Sequence, residues 1–207
     1  MDTRSRVVAE AMRLFGAQGY ARTTVAEIEK AAGLSPGSGS LYRHFRSKEE
    51  LLAEGVRAKV AENAGLLAMI GDPQAMAALP LRERLAGLAR AGLRRLEQER
   101  DLNRMIVRDL AAFPALLDEV REGEMRRIHA AVAQWLRMQA GPGDAEGAGT
   151  RDWDALAVVL VGSVSHFWLL RDVFGAHPSG LDEDRWVAAF VDLAEQLIVN
   201  TPDGGSR

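Results

Sequence analysis

The feature that most constrains this chain is the punctuation of its first fifty or so residues, where glycines and capping residues cut short apolar helical patterns apart. Val8, Ala11 and Phe15, with Val7 and Leu14 beside them, form one apolar stripe at helical spacing. Gly19 then stands where a helix C-cap belongs. Thr24-Val25-Ala26-Glu27 reads as a capping box, in which hydroxyl and carboxylate each satisfy an exposed backbone donor. Val25, Ile28 and Ala32 give this second helix its apolar face, and Gly33 ends it. Leu41 and Phe45, four apart, mark a short third helix, and Ser47-Lys48-Glu49-Glu50 opens a fourth as a second capping box. The fourth runs through Leu51, Leu52 and Val56 and meets no breaker until about residue 70. Three short helices with a glycine-containing turn between the second and third make the helix-turn-helix plan, whose later helix enters the major groove of DNA.

Helical periodicity continues over residues 81–100, 102–112, 114–139, 152–174 and 182–200, and strand alternation is almost absent. Trp186, Phe190, Leu193 and Leu197 place the apolar face of the last helix, whereas 152–174 is apolar nearly all round and reads as buried on several sides. Residues 141–149 are a flexible linker by composition, and with no strand before them their glycines are not a nucleotide loop. The expected fold class is all-α: an N-terminal three-helix helix-turn-helix domain over residues 1–50, then a larger C-terminal helical ligand-binding and dimerisation domain over 51–207.

Composition removes several function classes. Without cysteine there is neither a disulfide nor a thiolate metal site. The four histidines (44, 129, 166 and 177) lie on separate segments, with no His-Glu-x-x-His, P-loop or Glu-x-x-His pair. Neither catalysis, nor a metal, nor any cofactor is expected. The N-terminus lacks the apolar stretch of a signal peptide, and the run at 155–170 is interrupted by Ser163, Ser165 and His166, so a cytoplasmic protein without a membrane span is expected. The net charge of −3 is unevenly spread: residues 1–50 hold eight Lys/Arg against six Asp/Glu, a balance of +2 that leaves −5 for the remainder. A weakly basic head on an acidic body suits DNA contact at one end, because counterion release depends on local charge.

The informative stretch is residues 31–51. Glycine and serine ahead of the third helix let the backbone approach DNA closely, and the helix start offers N–H groups to phosphate. Tyr42, Arg43 and His44 follow with polar tips, while Leu41 and Phe45 point into the three-helix core. Residues ~5–52 resemble the DNA-binding domain of the tetracycline-repressor (TetR) family, through Phe15/Gly19/Tyr20, Thr23-Thr24-Val25, and Leu41-Tyr42-Arg43-His44-Phe45-Arg46-Ser47-Lys48-Glu49-Glu50-Leu51. The resemblance implies phosphate contacts from Thr24, Tyr42, His44 and Lys48, and places Ser38, Gly39, Ser40 and Arg43 nearest the base edges. Pro36-Gly37-Ser38-Gly39-Ser40 is two residues longer than the common form, which leaves the start of the recognition helix open.

Bulky side chains scattered through the body, with polar ones among them, fit an apolar effector pocket between helices. The candidate lining is Met105, Arg108, Phe113, Trp135, Met138, His166 and Phe167, with ordinary core packing as the competing reading. The last two helices are apolar enough to pair with a second copy, and the resemblance implies the same homodimer, its recognition helices about 34–36 Å apart. The expected partners are double-stranded operator DNA, a second copy of the chain and an unidentified small-molecule effector. The expected function is that of a transcriptional repressor released when effector binding shifts the spacing of the heads through the fourth helix. A helical enzyme and a DNA-binding accessory protein without ligand control are the competing classes.

Overall fold

Asp2 opens the first helix by accepting the Ser5 N–H at 2.7 Å, and α1 runs over Thr3–Gln18 until Gly19, at φ 97°, ends it. The computed structural model describes residues 2–62, 78–140 and 151–199. The expected linker at 141–149, the breaker near residue 71 and the end of the fourth helix lie outside the described residues. Thr24 and Glu27 form the complete capping box at the head of α2 (Val25–Ala31), and Gly33 follows with φ 69°. The third expected helix is a single 3₁₀ turn, Ser40–Arg43. Ahead of α3 (Lys48–Glu62) only half of the expected box forms. Ser47 Oγ accepts the Glu50 N–H at 3.0 Å, but the Glu50 carboxylate accepts from the Arg46 N–H.

The chain continues through α4 (Leu81–Gln98), α5 (Arg100–Arg108), a 3₁₀ turn at Leu110–Ala112 and α6 (Pro114–Val120) with proline in its first turn. A π-helical stretch over Arg121–Met125 leads into α7 (Arg126–Ala140), so the single helix expected over 114–139 is interrupted by wider turns. The last two helices are α8 (Trp153–Phe174) and α9 (Glu183–Val199). Among the described residues there is no strand, and the fold is all-α as expected, with an N-terminal helix-turn-helix domain and a larger C-terminal helical domain.

Packing divides the chain differently from the sequence. One compact unit comprises Met1–Ala64 with Glu99–Glu124, the other Gly65–Gln98 with Met125–Arg207. The expected cut after residue 50 falls inside α3, because the core of Phe15, Ile28, Leu41, Phe45, Leu51 and Leu52 continues into Leu102, Met105 and Leu110. Gly16 makes this possible. A Cβ there would lie 2.4 Å from Asp101 Cβ and 2.5 Å from its Cα, so only glycine admits α5 at this distance from α1.

In the second unit α4, α7, α8 and α9 enclose Leu85, Ala89, Trp135, Leu136, Ala157, Leu160, Phe190 and Ala194. Val187, Phe190, Val191, Ala194 and Ile198 form the buried face of α9, while Leu193, expected inside, is 49% exposed. By length and composition α8 is apolar enough to cross a membrane. It buries Trp153, Ala157, Leu160, Phe167 and Trp168 in this unit but leaves Val158, Val159, Val173 and Phe174 more than half exposed, so it is covered on fewer sides than its sequence suggests.

Candidate nucleic-acid interface and effector cavity

The turn from α2 to the 3₁₀ segment requires three left-handed residues, and glycine supplies each: φ is 69° at Gly33, 74° at Gly37 and 70° at Gly39. The Ser38 N–H donates to the Ser35 carbonyl at 3.2 Å, and the Tyr42 N–H to the Gly39 carbonyl at 3.0 Å. The helical segment therefore starts at Ser40, which answers what the longer turn left open. The Ser38 and Ser40 hydroxyls are 2.6 Å apart and hydrogen-bond to each other. Leu41 and Phe45 are buried beneath, which turns Tyr42, 56% exposed, and Arg43 outward. Thr24 and Ser38 are exposed, and Gly39, Ser40 and His44 are half-buried.

Two expected phosphate contacts are engaged elsewhere. The Thr24 hydroxyl accepts the Glu27 N–H at 3.2 Å and donates its proton to the Glu27 carboxylate at 2.7 Å, the proton a phosphate would need. The Thr24 backbone N–H, bonded to that same carboxylate, holds Glu27 below the ordinary carboxylate range. Lys48 Nζ donates to the carbonyls of Tyr20 at 2.8 Å and Thr23 at 2.9 Å and sits 4.1 Å from the centre of the Tyr20 ring. Burial lowers its pKa, and one of its three N–H donors remains beyond these two bonds.

Several residues that hold this surface escaped the sequence reading. Arg4 pairs with both carboxylate oxygens of Glu54, donates to the His44 carbonyl and lies 4.3 Å from the centre of the Phe45 ring, and the Glu54 partnership raises its pKa. Arg6 donates to the Ala32 carbonyl at the end of α2, at 2.7 Å. Arg108 caps the last carbonyls of α1, at Phe15 and Gly16, and the Asp109 carboxylate accepts the Tyr20 N–H at 3.3 Å. Glu29 is fully buried and accepts the backbone N–H groups of Gly37 and Leu41. Only Glu29 had a legible signal, because it stands four residues after Val25 on the apolar stripe of α2.

The seven residues expected to line an effector pocket are divided between the two compact units. Met105, Arg108 and Phe113 belong to the first compact unit, and Trp135, Met138, His166 and Phe167 to the second. Met105 is core, and Phe113 meets Tyr20 edge-on at 4.8 Å. Trp135 and Met138 pack in the core of the second unit, and Phe167 stacks between His177 and Trp186. His166 is exposed. A different cleft opens in that unit, enclosing about 550 Å³ with its open mouth included. Leu88, Gly92, Ile128, Leu160, Val164 and Phe190 give it apolar walls, and Arg95 and Ser165 supply polar groups. A Cβ on Gly92 would stand 3.1 Å from Val164 Cγ1, so this glycine keeps the cleft open. Among the described residues no cluster of His, Cys, Asp or Glu is arranged to hold a metal.

Residues 7–54 match a family model described as bacterial regulatory proteins, tetR family, and residues 81–204 match one described as the C-terminal domain of the HTH-type transcriptional dual regulator CecR. The regulator AcrR of Shigella flexneri is 42% identical over 53 residues, 26% of this chain and 24% of AcrR. TcmR of Streptomyces glaucescens is 33% identical over 130 residues, 63% of this chain and 44% of TcmR. The matches thus span less than half the length of these two curated relatives. A TetR-family regulator structure from Mesorhizobium loti superposes with a TM-score of 0.71 at 21% identity, covering 94% of each chain. Reduced NemR from E. coli gives 0.69 at 17% identity, covering 97% of this chain and all of that one.

Proposed function

The chain belongs to the TetR family of bacterial transcriptional regulators, DNA-binding proteins rather than enzymes, and from that premise we propose that it is a repressor that binds a near-palindromic operator as a homodimer and is released by a small-molecule effector. The DNA-binding function is assigned to residues 1–50 and effector sensing and pairing to 51–207. The observation that carries the reading is a closed core of Leu41 and Phe45 beneath a single 3₁₀ turn that turns Tyr42 and Arg43 outward. Ser38, Gly39, Ser40 and Arg43 face the base edges in this reading, while Tyr42, His44 and the remaining Lys48 N–H hold phosphates, joined by Thr24 when its hydroxyl exchanges the Glu27 carboxylate for a phosphate oxygen. Val158, Val159, Val173 and Phe174 of α8 and Leu193 of α9, all exposed, are the surface a second copy covers. The protein acts in the cytoplasm.

The experiment is selection of bound sequences from a randomised duplex library, followed by affinity measurements on the selected site. Tyr42→Ala weakens binding to all duplexes alike, because a phosphate contact carries no sequence information. Arg43→Ala relaxes preference at one position of each half-site, by about 1–3 kcal/mol. If the Arg43→Ala loss is equal on every sequence, Arg43 contacts phosphate instead.

The effector occupies the cleft lined by Gly92, Arg95 and Ser165, as a small and mainly apolar molecule with one anionic or hydroxyl group. Its binding is transmitted by chain continuity from α4 to α5, whose end holds α1 through Arg108 and Asp109, as well as by α3. Gly92→Leu fills the cleft, keeps operator affinity within about twofold and abolishes effector-induced release, as a fluorescence titration with a panel of such molecules would read. Retained release in Gly92→Leu would move the effector site elsewhere. A second reading, activation at some promoters, is favoured by the match of the body to a dual regulator's C-terminal domain. A promoter-fusion assay in cells with and without the gene separates the two.

A further inference from the structure

The 3₁₀ turn that presents Tyr42 and Arg43 has one long local bond at its start, from the Ser40 N–H to Ser38 Oγ at 3.3 Å, and no cap from its N-cap residue. Gly39, at its N-cap position, has no side chain to accept an N–H, and the segment is only four residues long. The chain leading into it, from Gly33 to Ser40, contains three glycines with positive φ and keeps no side chain fully buried. Such a sequence has many accessible backbone conformations and little apolar burial with which to choose among them.

Glu29 supplies that choice. It is fully buried on α2. Its Oε2 accepts the Gly37 N–H at 2.7 Å and its Oε1 the Leu41 N–H at 3.0 Å, while its own carbonyl accepts the Leu34 N–H at 2.8 Å. One residue thus takes bonds from the beginning and middle of the long turn and from the first turn of the recognition segment. Among the described residues no cationic side chain pairs with it, so the partners of its two carboxylate oxygens are the backbone N–H donors of Gly37 and Leu41.

We propose that Glu29 is a specificity-determining positioning residue: its buried carboxylate caps the recognition segment from another helix and sets where Ser38, Ser40 and Arg43 stand against the base edges, without touching DNA. The two-residue extension of the turn and the acid on the apolar stripe of α2 form one device. The longer turn puts Gly37 and Leu41 where one carboxylate reaches both, and the carboxylate holds the longer turn in one conformation. Glu29→Gln keeps the shape but has one acceptor oxygen in place of two, and turns an NH₂ group toward a backbone donor.

The test compares the full-length protein with Glu29→Gln and Glu29→Asp on the library-selected site, on the same site with single base changes under Ser38–Arg43, and on an unrelated duplex. The expected result for Glu29→Gln is a loss of about tenfold in discrimination between the selected and changed sites. Affinity for the unrelated duplex falls by no more than about twofold, because of the phosphate contacts only Tyr42 shares the repositioned segment with Arg43. Glu29→Asp, which keeps both acceptor oxygens on a shorter arm, recovers part of the discrimination. Equal losses on all three duplexes, or unchanged discrimination, would overturn the proposal. Amide hydrogen exchange on the unsubstituted protein without DNA gives a reading that does not depend on how the variants fold. Gly37 and Leu41 amides are expected to be protected far beyond Ser35 and Gly39, and fast exchange at both would overturn it too. Failure to select any site from the library would instead count against the sequence-specific operator reading on which the proposal rests.

Discussion

Gly16→Val separates the melting of the two compact units and lowers the stability of the first by about 3 kcal/mol, at the upper end of the usual cost of overpacking. The position is helical, and replacing glycine in a helix ordinarily stabilises by up to about 1 kcal/mol. That gain is outweighed here because the new Cβ meets the Cα of Asp101 at 2.5 Å, and no rotamer moves a backbone atom. α1 and α5 must part. With them go the Arg108 bonds to the Phe15 and Gly16 carbonyls and the Asp109 bond to the Tyr20 N–H. All four tryptophans, at 135, 153, 168 and 186, lie in the second unit, so their fluorescence reports that unit alone. In a urea titration the tryptophan midpoint stays near that of the parent while a share of the far-ultraviolet dichroism is lost earlier. Coincident transitions at the parent's midpoint would show that the close approach of α1 to α5 is not a constraint in solution.

Phe15→Ala costs more, about 3–5 kcal/mol, the range for truncating a buried aromatic to alanine. Phe15 is fully buried, its ring centre stands 5.2 Å from that of Tyr20, and Tyr20 in turn meets Phe113 at 4.8 Å. The cavity therefore opens where the head, α5 and the segment after it share one core. Against a total stability on the order of 5–15 kcal/mol for a domain, this leaves the DNA-binding unit largely unfolded at moderate denaturant. Binding of operator DNA recovers stability by mass action, so the apparent midpoint climbs with DNA concentration more visibly than in the parent. Chemical denaturation at several duplex concentrations measures it. A loss under 1 kcal/mol would mean that the surrounding side chains collapse into the space.

The helix-turn-helix was legible because its signals are local. The Val8, Ala11 and Phe15 spacing, the Thr24–Glu27 box and the glycines at 19 and 33 each act within one or two helical turns. The second buried side of α1 was not legible, since Gly16 is explained only by Asp101, eighty-five residues on. The cleft of the second unit was not legible for a related reason. Large side chains are taken up by packing, Trp135 in the core of the second unit and Phe167 against Trp186, whereas a cleft forms where small residues such as Gly92 leave room. His166 looked buried because its neighbours are apolar, but it shares the exposed stripe of α8 with Val158, Val159 and Val173. The two carbonyls that Lys48 holds, at Tyr20 and Thr23, lie more than twenty residues away in sequence, so this second task of an expected phosphate contact has no local signal.

The first compact unit is discontinuous in sequence, with residues 65–98 belonging to the other unit. On the ribosome the first sixty-odd residues emerge with the apolar surface that Leu102, Met105 and Leu110 later cover still open. At about 5–20 residues per second, the intervening stretch delays its closure by roughly two to seven seconds. A nascent chain therefore reaches a finished reading head only after the start of the sensing body has been made. For the same reason, a head grafted onto another protein at residue 50 or 64 would leave its own floor behind.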